Sequence, residues 1–170
     1  MNHRLEKFYI DNRKYLKSIV GLLITSAEQE QYYFEGKLNT ESLGTLKLSF
    51  SDEKELIFNC DRDAESLNIS QEGFTAKDTL ETDFKDSRYK WLVRDFLSRN
   101  DLIKLGKIID CKIELLSNEF GTIQSGCKLI FENLDFLYVW TTNFDNIFYG
   151  LNQLPPYHNN ENLKIKYITC

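Results

Sequence analysis

Two stretches of this chain, Leu46 to Cys60 (LKLSFSDEKELIFNC) and Lys128 to Trp140 (KLIFENLDFLYVW), carry the same order of apolar and polar positions. In each, a run ending in phenylalanine gives way to a short, mostly charged interval. Branched and aromatic side chains follow, of the kind that suit a pleated, half-buried surface. Each reads as a hairpin. Lys47-Leu48-Ser49-Phe50 aligns with Lys128-Leu129-Ile130-Phe131, and Leu56-Ile57-Phe58 with Leu137-Tyr138-Val139, both 81 residues further on.

Around these hairpins the periodicity predicts further elements. From His3 to Lys17, Leu5, Phe8, Tyr9, Asn12, Tyr15 and Leu16 recur at spacings of three and four, an amphipathic helix that Asn2 can cap. Ser18 to Ser26 (SIVGLLITS) reads as a strand, Ala27 to Gln31 as a break, Tyr32 to Gly36 as a short strand and Lys37 to Gly44 as a polar loop. Beyond the first hairpin come an acidic turn at Asp61 to Glu65, a brief strand at Ser66 to Ser70 and an aperiodic stretch from Gln71 to Asp86. Tyr89, Leu92, Val93, Phe96 and Leu97 then fall at helical spacing. They predict a second helix capped by Asp86 or Ser87 and ended by Asn100-Asp101.

Lys107 to Leu116 reads as a strand, Ser117 to Ser125 as a loop, Leu154-Pro155-Pro156-Tyr157 as a stiff connector and Leu163 to Thr169 as an edge strand. The expectation is an α+β fold, mostly antiparallel sheet with two amphipathic helices, built as a tandem duplication of a helix-plus-β-meander unit. One domain over 1–170 would hold halves at about 1–70 and 87–150, an acidic connector at 71–86 and a C-terminal edge strand at 163–169. Leu5 would register on Val93 and Phe8 on Phe96.

Composition changes this picture little. Hydrophobic residues at 42% and charged ones at 28% are ordinary globular usage. A chain of 170 residues buries roughly 70% of its unfolded surface, so it needs no staple. The start, MNHRLEKFYIDNRK, has no apolar signal core, and the run Ile19 to Ile24 is too short to span a bilayer; a cytoplasmic protein with no membrane partner is expected. Cys60, Cys111, Cys127 and Cys170 are widely spaced and read as free thiols, with Cys170 exposed.

Charge is more telling where it is localised. Ser51 to Asp86 holds eleven acids against four bases, a local −7 within a net −5, which leaves +2 for the rest. That balance argues against nucleic-acid binding, which needs a basic footprint, and suits a basic partner.

Catalytic signatures are sparse. His3 and His158 are the two histidines, and neither lies near a nucleophile motif; GxSxG, the P-loop and GxGxxG are all missing. The reading is therefore not an enzyme, with no cofactor and no metal. Asp61, Asp63, Glu65 and Glu72 echo calcium-loop positions, but Ser66 stands where that loop needs glycine, so an acidic hairpin turn is the better reading. Asn68-Ile69-Ser70 matches a glycosylation acceptor by chance on this view. Phe136, Tyr138 and Trp140 share one face and Leu137 and Val139 the other, as in a strand covered on both sides.

The pattern G-x-x-L-x-F, acidic turn, L-x-(I/V), then an acid, at Gly126 to Asp145 and in looser form at Gly44 to Asp61, resembles the small antiparallel α+β immunity proteins of bacterial polymorphic toxin systems, including contact-dependent growth inhibition. The resemblance implies a cytoplasmic protein that binds one cognate toxin domain, often a nuclease, and blocks its active site. A nuclease site is basic because it must attract phosphates, and an acidic segment can occupy it as the substrate would. On that basis Asp61, Asp63, Glu65, Glu81 and Asp83 are the expected partner-binding residues. The alternative is a ligand-binding or scaffold module with an aromatic-rich β core.

Overall fold

The computed structural model describes residues 11–61, 66–72, 88–119, 121–142 and 146–170. In the first half, β1 (Ile24–Phe34) turns through Glu35 and Gly36, at φ 49° and 77°, into β2 (Lys37–Phe50). Two consecutive residues at positive φ make the turn whose twist matches the strands it joins. β2 leads to β3 (Glu55–Cys60), β3 pairs with β4 (Leu67–Ser70), and β5 (Tyr89–Asp95) returns to the free side of β1. The sheet order is β4-β3-β2-β1-β5, antiparallel throughout.

The second half repeats that order. β6 (Ile108–Asn118), β7 (Gly121–Phe131), β8 (Phe136–Thr142) and β9 (Asn146–Leu151) form the meander, and β10 (Lys164–Thr169) pairs with β6. A helix precedes each meander: α1, helical over residues 11–17, and α2 (Arg99–Leu105).

The repetition extends to register. Glu28 pairs with Lys47 and Asp95, and 84 residues on Lys112 pairs with Lys128 and Thr169. Burial along β1 and along β6 follows one identical pattern, and each strand carries a bulge just after its first pair. The meander turns also agree. Phe50 N–H donates to the Lys54 carbonyl at 2.9 Å and Phe131 N–H to that of Asp135 at 3.0 Å, with Glu53 and Leu134 both near φ 67–68°.

Equivalent residues of the halves meet at two places, an isolated antiparallel bridge between Leu23 and Lys107 and a Cys60 Sγ to Thr141 Oγ1 contact of 2.9 Å. A residue can touch its own counterpart only on a two-fold axis, so these contacts mark a pseudo-two-fold relating the halves. The helices cross between them: α2 packs on β1, while Asn12 of α1 donates to Gln124 of β7 and Arg13 to the Thr169 carbonyl of β10. Apolar residues of both halves then fill one continuous core, including Leu16, Leu48, Phe58, Leu102, Leu129 and Val139.

Several expectations are corrected. Tyr89 to Leu97 is not a helix: residues 89–95 are strand β5, in which Trp91 and Val93 stand opposite Tyr32 and Glu30 of β1. The helix starts where its end was expected, because Ser98 caps it. Ser98 Oγ accepts from Asp101 N–H at 3.1 Å, and Asp101 accepts from Ser98 N–H at 3.2 Å. The registry of Leu5 on Val93 and Phe8 on Phe96 falls with that helix. Ser18 to Leu22 is a turn rather than strand.

The expected break at Ala27 to Gln31 and the expected loops at Lys37 to Gly44 and Ser117 to Ser125 are strand or tight turn, apart from residue 120, which lies outside the described residues. A backbone ladder is indifferent to polar side chains when they face outward or find a partner, as Gln29 does by donating to the Ile147 carbonyl at 2.6 Å. β10 belongs to the repeated unit instead of standing outside it, and Cys170 is half-buried rather than exposed. The expected cap at Asn2, the helix over 3–10 and the cap at Asp86 or Ser87 lie outside the described residues.

The hairpin 128–140 is as expected, with Leu137 and Val139 in the core and Tyr138 buried on the opposite face. Gly126 permits that closeness: a Cβ there would stand 2.8 Å from the Val139 carbonyl oxygen and 3.1 Å from the Tyr138 ring. Gly126→Ala is expected to cost on the order of 2 kcal/mol in urea denaturation, since backbone and ring must both shift. An unchanged midpoint would show that β7 and β8 have room they lack here.

Candidate functional site

Of the five residues expected to bind a partner, Asp61 is described and Asp63, Glu65, Glu81 and Asp83 lie outside the described residues. Asp61 follows β3, and its N–H donates to the Ser66 carbonyl at 2.8 Å, closing the β3–β4 hairpin. Positions 67–70 are a strand paired with β3, so the segment is flanked by strands and not by the helices that flank a calcium loop.

The acids at the other end of β3 are already engaged. Asp52 meets Lys54 Nζ at 2.5 Å, and that contact holds its carboxyl below the usual range; Glu55 shares Lys47 with Glu28 at 3.4 and 2.8 Å. The described acids of residues 51–61 therefore sit at two ends of one strand and do not form a single cluster.

The structure gathers a different set of polar groups on the outer face of the second sheet. Glu114 sits on β6 between Ile113 and Leu115, and its carboxylate is fully buried. One oxygen, Oε1, accepts from Ser125 Oγ at 2.6 Å and Tyr157 Oη at 2.5 Å. The other, Oε2, accepts from Tyr138 Oη and from His158 Nε2, the latter at 2.5 Å. Where Glu114 is ionised it only accepts, and Nε2 is then the ring nitrogen that carries the proton. Tyr167 Oη lies 3.2 Å from Tyr138 Oη, and the Tyr138 and His158 rings meet edge to face.

Local sequence explains the assembly. Gly126, directly opposite Glu114 on β7, presents no side chain above it, and a register shift beside this pair bends the ladder. Pro155 and Pro156 then stiffen the β9–β10 connection into a 3-10 turn over Pro156–Asn159, which lays Tyr157 and His158 over the carboxylate. Burial first, and the carboxylate second, hold the Tyr138 and Tyr157 hydroxyls far above their ordinary pKa.

The first half carries the counterpart. Glu30, 84 residues before Glu114, is buried on β1 at a register shift, and its Oε2 accepts from Thr45 N–H at 3.0 Å. Gly44 supplies the room; a Cβ there would meet Glu30 Oε2 at 2.8 Å. Trp91 flanks it, its ring 5.3 Å from that of Tyr32. Each half thus buries one glutamate on its outer face beside a glycine and a ladder shift.

Sequence reasoning passed over Glu114 and did not connect it with Tyr138, Tyr157 and His158, although an acid between Ile113 and Leu115 and a histidine after Pro-Pro-Tyr were signals available to it. The Glu114 carboxylate itself is saturated. A carboxylate has about four acceptor positions, and here four donors fill them, so no lone pair is left to take a substrate proton. The described residues contain no group of three or more metal-ligating side chains, and a surface groove of about 510 Å³ lies elsewhere, lined by Ile24, Ala27, Asp95, Leu97, Arg99 and Leu102 among others. Among the described residues no helix is long and apolar enough to cross a membrane. Compared with known proteins, no family model matches the chain, and neither does any curated protein or solved structure.

Two outcomes follow from the geometry. Glu114→Gln keeps one oxygen and turns the other into an amide that only donates, so two of the four donors lose their acceptor; it is expected to cost about 2–4 kcal/mol in urea denaturation, against a near-zero cost if the contacts are incidental. Stability is also expected to fall in alkali. The folded-state tyrosine pKa values are raised, so their contribution is complete below the unfolded value of about 10 and is lost as pH rises beyond it. In a spectrophotometric titration the hydroxyls of Tyr138 and Tyr157 should ionise only with unfolding; normal titration of every tyrosine in the native state would refute the burial.

Proposed function

We propose that this chain is a stoichiometric inhibitor of the immunity-protein type, which binds a basic toxin domain in the cytoplasm and covers its active site. The observation that carries the reading is the unequal loading of two otherwise matching units. Residues 51–86 hold eleven acids against four bases, whereas the equivalent turn, strands and connection of the second unit, residues 132–161, hold four acids and no base. Charge gathered on one copy steers a basic partner to that copy, and a few buried contacts then supply the affinity. The Glu114 cluster supports binding rather than catalysis, since its carboxylate is occupied by four donors and holds a connection in place.

The groove beside α2 favours a second reading, a module for a small apolar ligand. Its floor is Ile24, Ala27, Leu97 and Leu102, and about 510 Å³ falls within the usual range for such sites.

Coexpression of the chain with the toxin domain encoded immediately upstream tests the first reading. The two should copurify at one to one, and affinity should fall steeply with salt. Reversing Asp61, Asp63, Glu65, Glu81 and Asp83 to lysine should weaken binding at least about 100-fold at low salt and flatten the salt dependence. Undiminished binding by that variant would sink the acidic mechanism, and the lack of any complex would sink the inhibitor itself.

A further inference from the structure

We propose that Cys111 and Cys170 are a latent disulfide, which on oxidation joins β10 to β6. The two cysteines stand directly opposite each other. Lys112 pairs with Thr169, and one step along the same ladder Cys170 N–H donates to the Cys111 carbonyl at 3.0 Å. Opposed residues of an antiparallel pair point to the same face. Both side chains belong to the core, Cys111 fully buried and Cys170 packed against it.

Hydrogen-bonded partners have Cα atoms about 5.5 Å apart, inside the roughly 4.4–6.8 Å that a disulfide spans. Their Cβ atoms stand about 1 Å further apart than a relaxed bridge prefers. Cys170, one residue beyond the end of β10, can take up that difference.

The other half shows that the fold does not require sulfur at this place. Ala27 and Phe96 occupy the equivalent positions, joined by the same bond from Phe96 N–H to the Ala27 carbonyl at 2.9 Å, and fill the space with a small and a large side chain. The remaining thiols are poorly placed to compete. Cys127 lies opposite Ile113, which makes it a diagonal neighbour of Cys111, and Cys60 lies in the other sheet against Thr141.

A small disulfide such as oxidised glutathione is the oxidant. The Cys170 thiolate attacks one of its sulfurs and expels a glutathione thiolate. Cys111 then attacks the Cys170 sulfur of the mixed disulfide and expels the second. Two protein thiols are oxidised, one glutathione disulfide is reduced, and the two thiol protons pass to the two glutathiones released. Burial raises both thiol pKa values, that of Cys170 to about 11, so the exchange is slow at neutral pH and quickens as pH rises.

The test is to equilibrate the full chain with oxidised glutathione at mildly alkaline pH, count free thiols and map the linked peptides by mass spectrometry. The expected result is loss of two of the four thiols, a peptide joining Cys111 to Cys170, and a Tm raised on the order of 10 °C over the reduced chain. Cys170→Ser and Cys111→Ala, the latter matching Ala27 of the first half, should each lose the linkage and the Tm increase, while Cys60→Ser keeps both. Glutathione retained on Cys170 without the link, a dimer joined through Cys170, or a bridge to Cys127 would each overturn the proposal.

Discussion

Each half of this chain makes a five-stranded antiparallel sheet with one apolar face, and among the described residues nothing within a half is large enough to cover that face. The other sheet covers it, and the crossed helices close the remaining ends. Leu16 of the first helix and Ile19 of the turn after it therefore share a core with Leu129 and Leu137, while Leu102 and Leu105 share it with Ile24 and Leu46. Burial of such side chains contributes about 1.5–3 kcal/mol each, and most of that is unavailable to a half standing alone. The pseudo-two-fold follows as the arrangement in which two similar faces cover each other with a single set of contacts.

The outer faces face a different constraint, because each buries a glutamate. An ionised carboxylate out of water is tolerated only where donors replace its lost hydration. In the second half those donors come from four side chains, two of them on the β9–β10 connection, so satisfying the charge and fixing the connection are one event. The connection is proline-stiffened, and the His158 ring that reaches the carboxylate also packs edge to face on Tyr138. A single acid thereby organises the outer layer of its sheet.

What could be read from the sequence was set by how much local pattern and tertiary role agreed. The two hairpins were legible because an apolar run, a polar turn and an aromatic run leave little choice, and the 81-residue repeat was visible in the same residues. Tyr89 to Leu97 misled because apolar residues on both faces of a strand also satisfy a helical period. What decides between them is β1, which presents an edge that β5 pairs along its whole length. The capping box at Ser98 to Asp101 was the local evidence against the longer helix. Polar strands such as residues 27–31 and 37–44 were hidden because their ladder partners, and not their own side chains, make them strands. The Glu114 cluster was hidden for the same kind of reason: its members span residues 114 to 167, and only the sheet order brings them together.

Duplication gives the two copies different freedom. The second copy spends its β9–β10 connection on locking Glu114, and its equivalent of the first meander turn carries Leu134 where the first carries Glu53. The first copy keeps a longer β4–β5 connection, from residue 71 to residue 88 as against 152 to 163, and most of the acids. A scaffold whose stability rests on mutual coverage of inner faces tolerates divergence on the outer faces and connections, since those residues leave the shared core untouched. The place to look for what this chain recognises is therefore where the copies match in backbone and differ in charge.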